Sequence, residues 1–283
     1  MHVGVGLPNA VPGTSPDVLM DWMRRADDGV FSSVGVVDRT GYDAYEPMTV
    51  LAAAAALTAR VKLTTMVLIG PLRRDALLAK EAATISHVSG GRLVLGLGLG
   101  ARRDDYERAG VSFRGRGDRL SRQIETLRDS WEDELAGPTP EAHRDPLVLV
   151  GGGSDRSFGR AARYGDGYVH GGGPPRAFAR AAEKARAAWM DAGRPGEPAL
   201  WGQGYFALGD AATVEQGRAY MRDNYAFTGS FSERIAEQML GTAQAVIAFV
   251  KGYADAGCDE VVLFPAVSEP SQLDRLREAV GAL

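Results

Sequence analysis

The sequence predicts an α/β protein with the architecture of a (β/α)8 TIM barrel. Short apolar, strand-like runs alternate with helix-like segments eight times, no linker rich in proline or serine divides them, and the chain has 283 residues. Strict alternation predicts parallel strands joined by right-handed crossovers. Eight such units in about 250–300 residues are typical of this barrel, and a doubly wound open sheet is the competing fold. We expect one domain over residues 1–283.

The strands are predicted from apolar and β-branched runs bounded by glycine, proline or polar residues. The first strand, residues 3–8, reads VGVGLP. The third, residues 61–69, reads VKLTTMVLI and is predicted as one continuous strand. The other six strands are predicted at residues 32–38, 93–100, 147–150, 167–170, 200–208 and 260–264.

The helices are predicted from apolar residues at helical spacing and from end signals. Ser15 is a suitable N-cap for the first helix, Pro16 suits its first turn, and Gly29 stops it. One long helical stretch, residues 211–256, adds extra helical structure after the seventh strand. The other six helices are predicted at residues 47–59, 77–88, 120–131, 154–164, 178–189 and 272–283.

The glycine-rich stretch LVLGLGLGA, residues 93–101, satisfies the dinucleotide fingerprint G-x-G-x-x-A. That fingerprint normally follows the first strand of a Rossmann unit, and an acidic residue ends the next strand. Here it follows the fourth strand, and the next strand ends in LVLVGGG without an acid. Glycines at every second position share one face of a strand, so the sequence favours space for packing or for a flat ring over NAD binding.

Composition excludes several classes of function. The net charge of −4 argues against a nucleic-acid partner, and no apolar run is long enough to span a bilayer. The single cysteine excludes an internal disulfide, so we expect a cytoplasmic protein. No group of histidine, aspartate and glutamate has metal-ligand spacing, and we expect no metal.

The segment VLVGGGSDRSFGRAARYGDG, residues 148–167, is the strongest local signal. A strand runs into Gly151, Gly152 and Gly153, and Ser154 begins a helix. Free amides at a helix N-terminus behind a flexible glycine approach suit a phosphate group. An ordinary helix cap after a tight turn is the alternative interpretation. The Lys-Ser/Thr pair of a P-loop is missing, which disfavours nucleotide triphosphate hydrolysis.

Candidate catalytic residues are few. Asp38 and Arg39 directly follow the second strand and are predicted to orient a ligand, although a solvated ion pair is the alternative. Of the four histidines, His170 alone ends a strand, which makes it the one candidate acid or base. A barrel with a phosphate site and few catalytic side chains indicates that a cofactor carries the chemistry.

Three blocks of the chain resemble one family. Residues 77–113, 150–169 and 241–264 are similar to blocks of the luciferase-like monooxygenases, which are flavin- or deazaflavin (F420)-dependent barrel oxidoreductases. With VGVGLP at the first strand and VGVVDR at the second, the resemblance spans nearly the whole chain. The blocks are specific together, although each is weak alone.

The resemblance implies a cofactor ring across the top of the barrel. It places a supporting bulge, often with a non-proline cis peptide, at Met66 and Val67. It also places Asp38 at the polar edge of the ring and the phosphate site at Gly152, Gly153 and Ser154.

The resemblance also bears on the choice of cofactor. The pair Asp38-Arg39 is typical of the F420-using branch, and apolar Leu99 stands where the FMN branch has a phosphate-binding arginine. We therefore favour F420 over FMN, with Arg102 as a further candidate contact to the cofactor.

These observations lead to a predicted function with open alternatives. The favoured reaction is hydride transfer between F420 and a small organic substrate, and an FMN-dependent monooxygenase is the alternative within the family. A non-catalytic flavin-binding barrel and a cofactor-free barrel acting on a sugar phosphate are further alternatives. The segment between Trp131 and Pro146 is short compared with relatives, so we expect either a more open cofactor face or a partner subunit, as in a homodimer.

Overall fold

The computed structural model describes residues 1–132 and 145–281, and its strands form a closed parallel barrel. The strands run in the order β3-β2-β1-β9-β8-β7-β6-β5-β4, and pairing of β3 with β5 closes the ring. This confirms the predicted (β/α)8 barrel, because β3 and β4 together occupy one of the eight strand positions of the ring. The strands are β1 (His2–Gly6), β2 (Ser33–Val36), β3 (Lys62–Thr65), β4 (Leu68–Ile69), β5 (Leu93–Gly98), β6 (Leu147–Gly151), β7 (Gly167–His170), β8 (Ala199–Phe206) and β9 (Glu260–Pro265).

The predicted third strand, residues 61–69, is interrupted rather than continuous. The chain leaves β3 at Thr65 and resumes as β4 at Leu68, and the peptide bond between Met66 and Val67 is cis. The bulge that the family resemblance implies at this point is therefore present. Next to the bulge, the Thr65 hydroxyl donates a hydrogen bond to the Gly96 carbonyl at 2.7 Å, which links β3 to β5.

The helices cover the outside of the barrel and bury their apolar stripes against it. The predicted stretch at residues 211–256 is three helices, because a 3-10 turn, Gly229 at φ 63° and a strand-like contact at Leu240 interrupt it. A short helix after β5 was missed. The helices are α1 (Pro16–Asp27), α2 (Pro47–Leu57), α3 (Asp75–Val88), α4 (Arg103–Arg108), α5 (Arg116–Glu132), α6 (Asp155–Tyr164), α7 (Pro175–Asp191), α8 (Ala211–Asn224), α9 (Phe231–Glu237), α10 (Ala243–Asp255) and α11 (Ser271–Gly281).

Two further predictions concern the segment before β6 and membrane-spanning helices. Most of the segment between Trp131 and Pro146 lies outside the described residues. Within residues 1–132 and 145–281, no helix has the length and apolarity needed to span a bilayer.

The lower end of the barrel, where the strands begin, is closed by polar groups that satisfy one another. The Ser32 hydroxyl donates to Glu260 Oε1 at 2.7 Å, and Lys62 Nζ donates to Oε2 at 3.1 Å. The Lys62 ammonium also lies 5.3 Å from the centre of a Trp201 ring, which extends into the interior. Paired polar side chains therefore fill the lower end of the barrel.

The glycines of β5 have a packing role. A Cβ at Gly96 would lie 2.1 Å from the Thr65 carbonyl oxygen, and a Cβ at Gly98 would lie 2.5 Å from Val67 Cγ2. Both positions therefore leave room for the interrupted third strand. The stretch that matches the dinucleotide fingerprint forms the barrel wall beside the bulge.

Candidate active site

The upper end of the barrel, where the strands end, is here called the mouth. Asp38 follows β2 at this level and is buried. Its Oδ2 accepts hydrogen bonds from the Ile69 amide at 2.8 Å and from Arg73 Nη1 at 2.9 Å. Burial raises the pKa of Asp38, although the charge of Arg73 opposes this rise. Asp38 therefore anchors β4 through one carboxylate oxygen, and Oδ1 has no hydrogen-bond partner in the described part of the chain.

Arg39 and Arg102 meet at one residue of the lid, which we define as residues 211–241 between β8 and α10. Arg39 Nη1 donates to Asn224 Oδ1 at 2.7 Å, and Arg102 Nη2 donates to the Asn224 carbonyl at 2.8 Å. The structure therefore brings Arg39 and Arg102 together. It separates Arg39 from the Asp38 carboxylate, which pairs with Arg73 instead.

The predicted phosphate site is an open loop in front of a helix. Gly151 is buried, whereas Gly152, Gly153 and Ser154 are exposed. Gly152 has φ 140°, and a Cβ at Gly153 would meet nothing within 4 Å. Ser154 caps α6 in a reciprocal capping box with Ser157. The loop leaves space for a ligand that approaches the N-terminus of α6.

The bulge residues form the wall between this loop and β5. Met66 packs in the barrel interior, and Val67 lies against it. A Cβ at Gly151 would contact Val67 Cγ1 at 3.3 Å. The bulge and the first glycine of the loop are therefore neighbours on one side of the mouth.

His170 lies at the end of β7, but its ring faces the helical layer. Val169, the preceding residue, packs in the barrel interior, so the alternation along the strand turns His170 outwards. Its ring meets Phe178 edge-on at 5.8 Å, and its Nδ1 lies 3.4 Å from the Tyr253 hydroxyl. Burial lowers the pKa of His170 to about 4, so the imidazole is neutral at neutral pH.

Gln203 of β8 is a mouth residue whose position at a strand end could be predicted from the sequence, but not its role. Its side chain is buried, Nε2 donates to the Gly171 carbonyl at 3.1 Å, and Oε1 has no hydrogen-bond partner among the described residues. Its signal was a polar residue at an inward-facing position between Trp201 and Tyr205 of an otherwise apolar strand. A buried acceptor without a donor is costly, so this oxygen suits a ligand that supplies one.

A cavity of about 740 Å³ adjoins the mouth beneath the lid. Its walls come from β8, α8, α9, α10 and the loop after β7, and no charged side chain lines it. Tyr205 forms part of the floor and packs on Phe264 of the barrel interior, with ring centres 5.8 Å apart. The cavity is therefore an apolar compartment beside the mouth. No group of histidine, cysteine, aspartate and glutamate could hold a metal ion within residues 1–132 and 145–281.

Comparison with families and solved structures agrees with this geometry. A model described as luciferase-like monooxygenase matches residues 1–257. The structure of monooxygenase RslO1 from Streptomyces bottropensis superposes with a TM-score of 0.81 at 23% identity, covering 100% of this chain and 99% of that one. An F420-dependent secondary alcohol dehydrogenase, solved with an F420-acetone adduct, superposes with a TM-score of 0.83 at 16% identity, covering 99% and 98%.

Curated relatives match over a shorter part of the chain. An uncharacterized protein of Mycobacterium tuberculosis is 34% identical over 138 residues, which are 44% of this chain and 48% of that protein. The chain thus spans about half the length of this relative. At such coverage and identities, these likenesses support the fold and leave the reaction open.

Proposed function

This chain belongs to the luciferase-like monooxygenase family, and from this premise we propose that it transfers a hydride between coenzyme F420 and a small organic substrate. The cofactor supplies the redox chemistry when bound, and the protein supplies binding, orientation and exclusion of water. One observation carries the proposal: the bulge at Val67 adjoins a glycine wall that leads into an open helix N-terminus.

The glycine loop fits the phosphate of such a cofactor. The amides of Gly153, Asp155 and Arg156 have no hydrogen-bond acceptor among the described residues, and they stand at the N-terminus of α6. Exposed amides and the positive end of the helix dipole attract an anionic group. The proposed phosphate site is therefore the loop of Gly152, Gly153 and Ser154, where the free amides of Gly153, Asp155 and Arg156 would donate to the phosphate.

The mouth fits the ring. Val67 and Met66 give it an apolar support, and Gln203 Oε1 offers an unsatisfied acceptor for an N–H at a ring edge. Asp38 Oδ1 is a second acceptor near the bulge. Asp38 would orient the ring, and Arg73 would hold Asp38 in place.

The charges after β5 favour F420 over FMN. Leu99 packs against the core at the position where the FMN branch has an arginine. Arg103 and Arg116 flank the Phe113 ring, at 4.6 and 3.6 Å from its centre, and neither makes an ion pair among the described residues. Unpaired guanidinium groups suit the acidic tail of F420, which FMN lacks.

An FMN-dependent monooxygenase is the second candidate, and the apolar cavity beside the mouth favours it. A compartment without charged side chains excludes water, which protects oxygen-activating chemistry from side reactions. Both candidates place the ring on the same wall, so the choice between them is a matter of affinity.

Titration of the purified protein with F420, FMN and riboflavin tests the proposal. We expect micromolar binding of F420, weaker binding of FMN, and weaker binding still of riboflavin, which lacks the phosphate. Gly153→Asp should lower the affinity for F420 at least about tenfold, because a carboxylate repels the phosphate.

Gly159→Asp is the matched control for this titration. It adds the same charge to the same helix at an exposed position where a Cβ meets nothing within 4 Å, but it lies beyond the first turn. We expect it to bind F420 like the original protein. Absence of F420 and FMN binding would overturn the proposal and favour a cofactor-free barrel. FMN binding tighter than F420 binding would favour the monooxygenase.

A further inference from the structure

Two guanidinium groups at the lid, of Arg39 and Arg102, are satisfied only in part. The Arg39 side chain is 8% exposed, and its Nε has no hydrogen-bond partner in the described residues. The Nε of Arg102 is likewise buried without a partner. Both arginines use their terminal nitrogens on Asn224. A single amide residue thus accepts from two cations.

Of the two arginines, only Arg39 has carboxylates within 4 Å among the described residues. Asp104 and Asp105 each lie 3.8 Å from the Arg39 guanidinium. Arg102 has no carboxylate within 4 Å among the described residues, and Asp223 on α8 accepts a hydrogen bond from the Tyr42 hydroxyl. Burial and the charge of Arg39 lower the pKa of Arg102, although the charge of Asp105 opposes this. A partly buried cation without an ion-pair partner is costly, so an anion is the missing partner.

The uncompensated charge of Arg102 lies at the edge of the apolar cavity. The Arg102 guanidinium carbon is 5.5 Å from the centre of the Tyr225 ring, and Tyr225 lines the cavity. It is 4.5 Å from the centre of the half-exposed Phe227 ring. Tyr205, whose ring meets that of Tyr225 edge-on, connects the cavity to the mouth. Arg102 does not itself line the cavity but lies against Tyr225 of its wall, so the apolar compartment has a cation at its edge.

We propose that the substrate is an amphiphilic carboxylate, whose apolar body fills the cavity and whose carboxylate binds Arg102. The assignment of this ligand as substrate rests on the proposed function, whereas its binding does not. Arg39 is a positioning residue, since it shares Asn224 with Arg102 and is already paired with Asp105. The carboxylate oxygens would supply the acceptors that the Arg102 guanidinium lacks. This assigns Arg102 to the substrate instead of to the cofactor.

The test compares two fluorescent probes with the same apolar body, 1-pyrenebutyrate and 1-pyrenebutanol, titrated into protein without cofactor. We expect the carboxylate to bind at least about tenfold more tightly than the alcohol. Arg102→Gln should reduce this ratio to near one. Arg108→Gln, which removes a positive charge from an exposed position on α4, should keep the ratio.

A second variant keeps the test decisive if Arg102→Gln fails to fold. Phe227→Asp places a carboxylate beside Arg102 at a half-exposed position, so the fold should tolerate it and the preference for the carboxylate should disappear. Ala248→Trp, at an exposed position on the cavity wall, should weaken the binding of both probes.

The outcomes separate this proposal from the previous one. Equal affinities of the two probes for the original protein would overturn it, as would a preference that survives in Arg102→Gln. Weaker F420 binding in Arg102→Gln with an unchanged probe ratio would also overturn it and assign Arg102 to the acidic tail of the cofactor. Failure of the original protein to bind any cofactor, with the probe ratio as expected, would overturn only the proposed hydride transfer.

Discussion

The two ends of the barrel interior treat buried polar groups in opposite ways. At the lower end, Glu260 is bonded to Ser32 and Lys62, and the Ser33 hydroxyl is a buried group without a partner among the described residues. At the mouth, Gln203 Oε1 and the Nε atoms of Arg39 and Arg102 are likewise buried without partners in the described part of the chain. Because unsatisfied buried groups are costly, we expect a ligand to bind at the mouth, where these atoms lie.

The largest expected effect concerns the wall between these ends. Gly96→Ala should lower the free energy of unfolding by about 3 kcal/mol or more, because its Cβ would lie 2.1 Å from the backbone oxygen of Thr65, which cannot move aside. Chemical denaturation measures this loss. Gly153→Ala, in the open loop, is the control and should leave the free energy of unfolding unchanged. Equal midpoints for both variants would contradict the packing role of β5.

A pair of substitutions tests the comparison directly. Glu260→Gln at the lower end should reduce the free energy of unfolding by about 1–3 kcal/mol, because a buried charge that is paired becomes a neutral amide. Its affinity for F420 should stay the same. Denaturation curves and cofactor titrations on one preparation measure both quantities.

Gln203→Leu at the mouth should show the reverse. Removal of an unsatisfied acceptor should change the free energy of unfolding by less than about 1 kcal/mol, while affinity for F420 falls about tenfold. A Gln203→Leu protein that unfolds more easily and still binds F420 normally would remove the functional difference between the two ends.

The smallest effect concerns His170, which lies at mouth level but faces the helices. Its pKa is lowered to about 4 from the ordinary value of 6.5, so the unfolded chain binds its proton at higher pH than the folded protein. Stability from this residue should therefore fall by about 1 kcal/mol as the pH drops from about 7 to just below 6. His170→Gln should flatten this pH dependence of the denaturation midpoint. An unchanged slope would show that His170 is solvated and free to exchange protons.

The sequence predicted the parts of the fold that have a local signature. Alternating strands and helices, the cap at Ser15 and the glycine loop before α6 all follow from patterns a few residues long. The break between Met66 and Val67 has no such pattern, because VKLTTMVLI reads as one strand. It entered only through the family resemblance, and the glycines that accommodate it lie some thirty residues away on β5.

The site was predictable only where function depends on position along a strand. Their positions at strand ends predicted Asp38 and His170 as site residues, but the direction of each side chain depends on the neighbours that it contacts. Arg73, on the connection after β4, takes the Asp38 carboxylate, and Phe178 and Tyr253 surround His170. The segment after β8 could be assigned to a lid or substrate wall, but the contact of Asn224 with Arg39 could not be predicted, since it spans 185 positions.

The lid comes from one stretch of the chain, and the bulge and the glycine loop come from another. This separation has an evolutionary consequence. Most of the cavity wall belongs to residues 204–249, whereas the bulge and glycine loop belong to residues 66–154. Insertion or replacement between β8 and β9 can therefore change which molecule enters the cavity, while the bulge and the glycine loop stay unchanged. A descendant with new chemistry needs only a new stretch of about thirty residues here, grafted onto an unaltered scaffold.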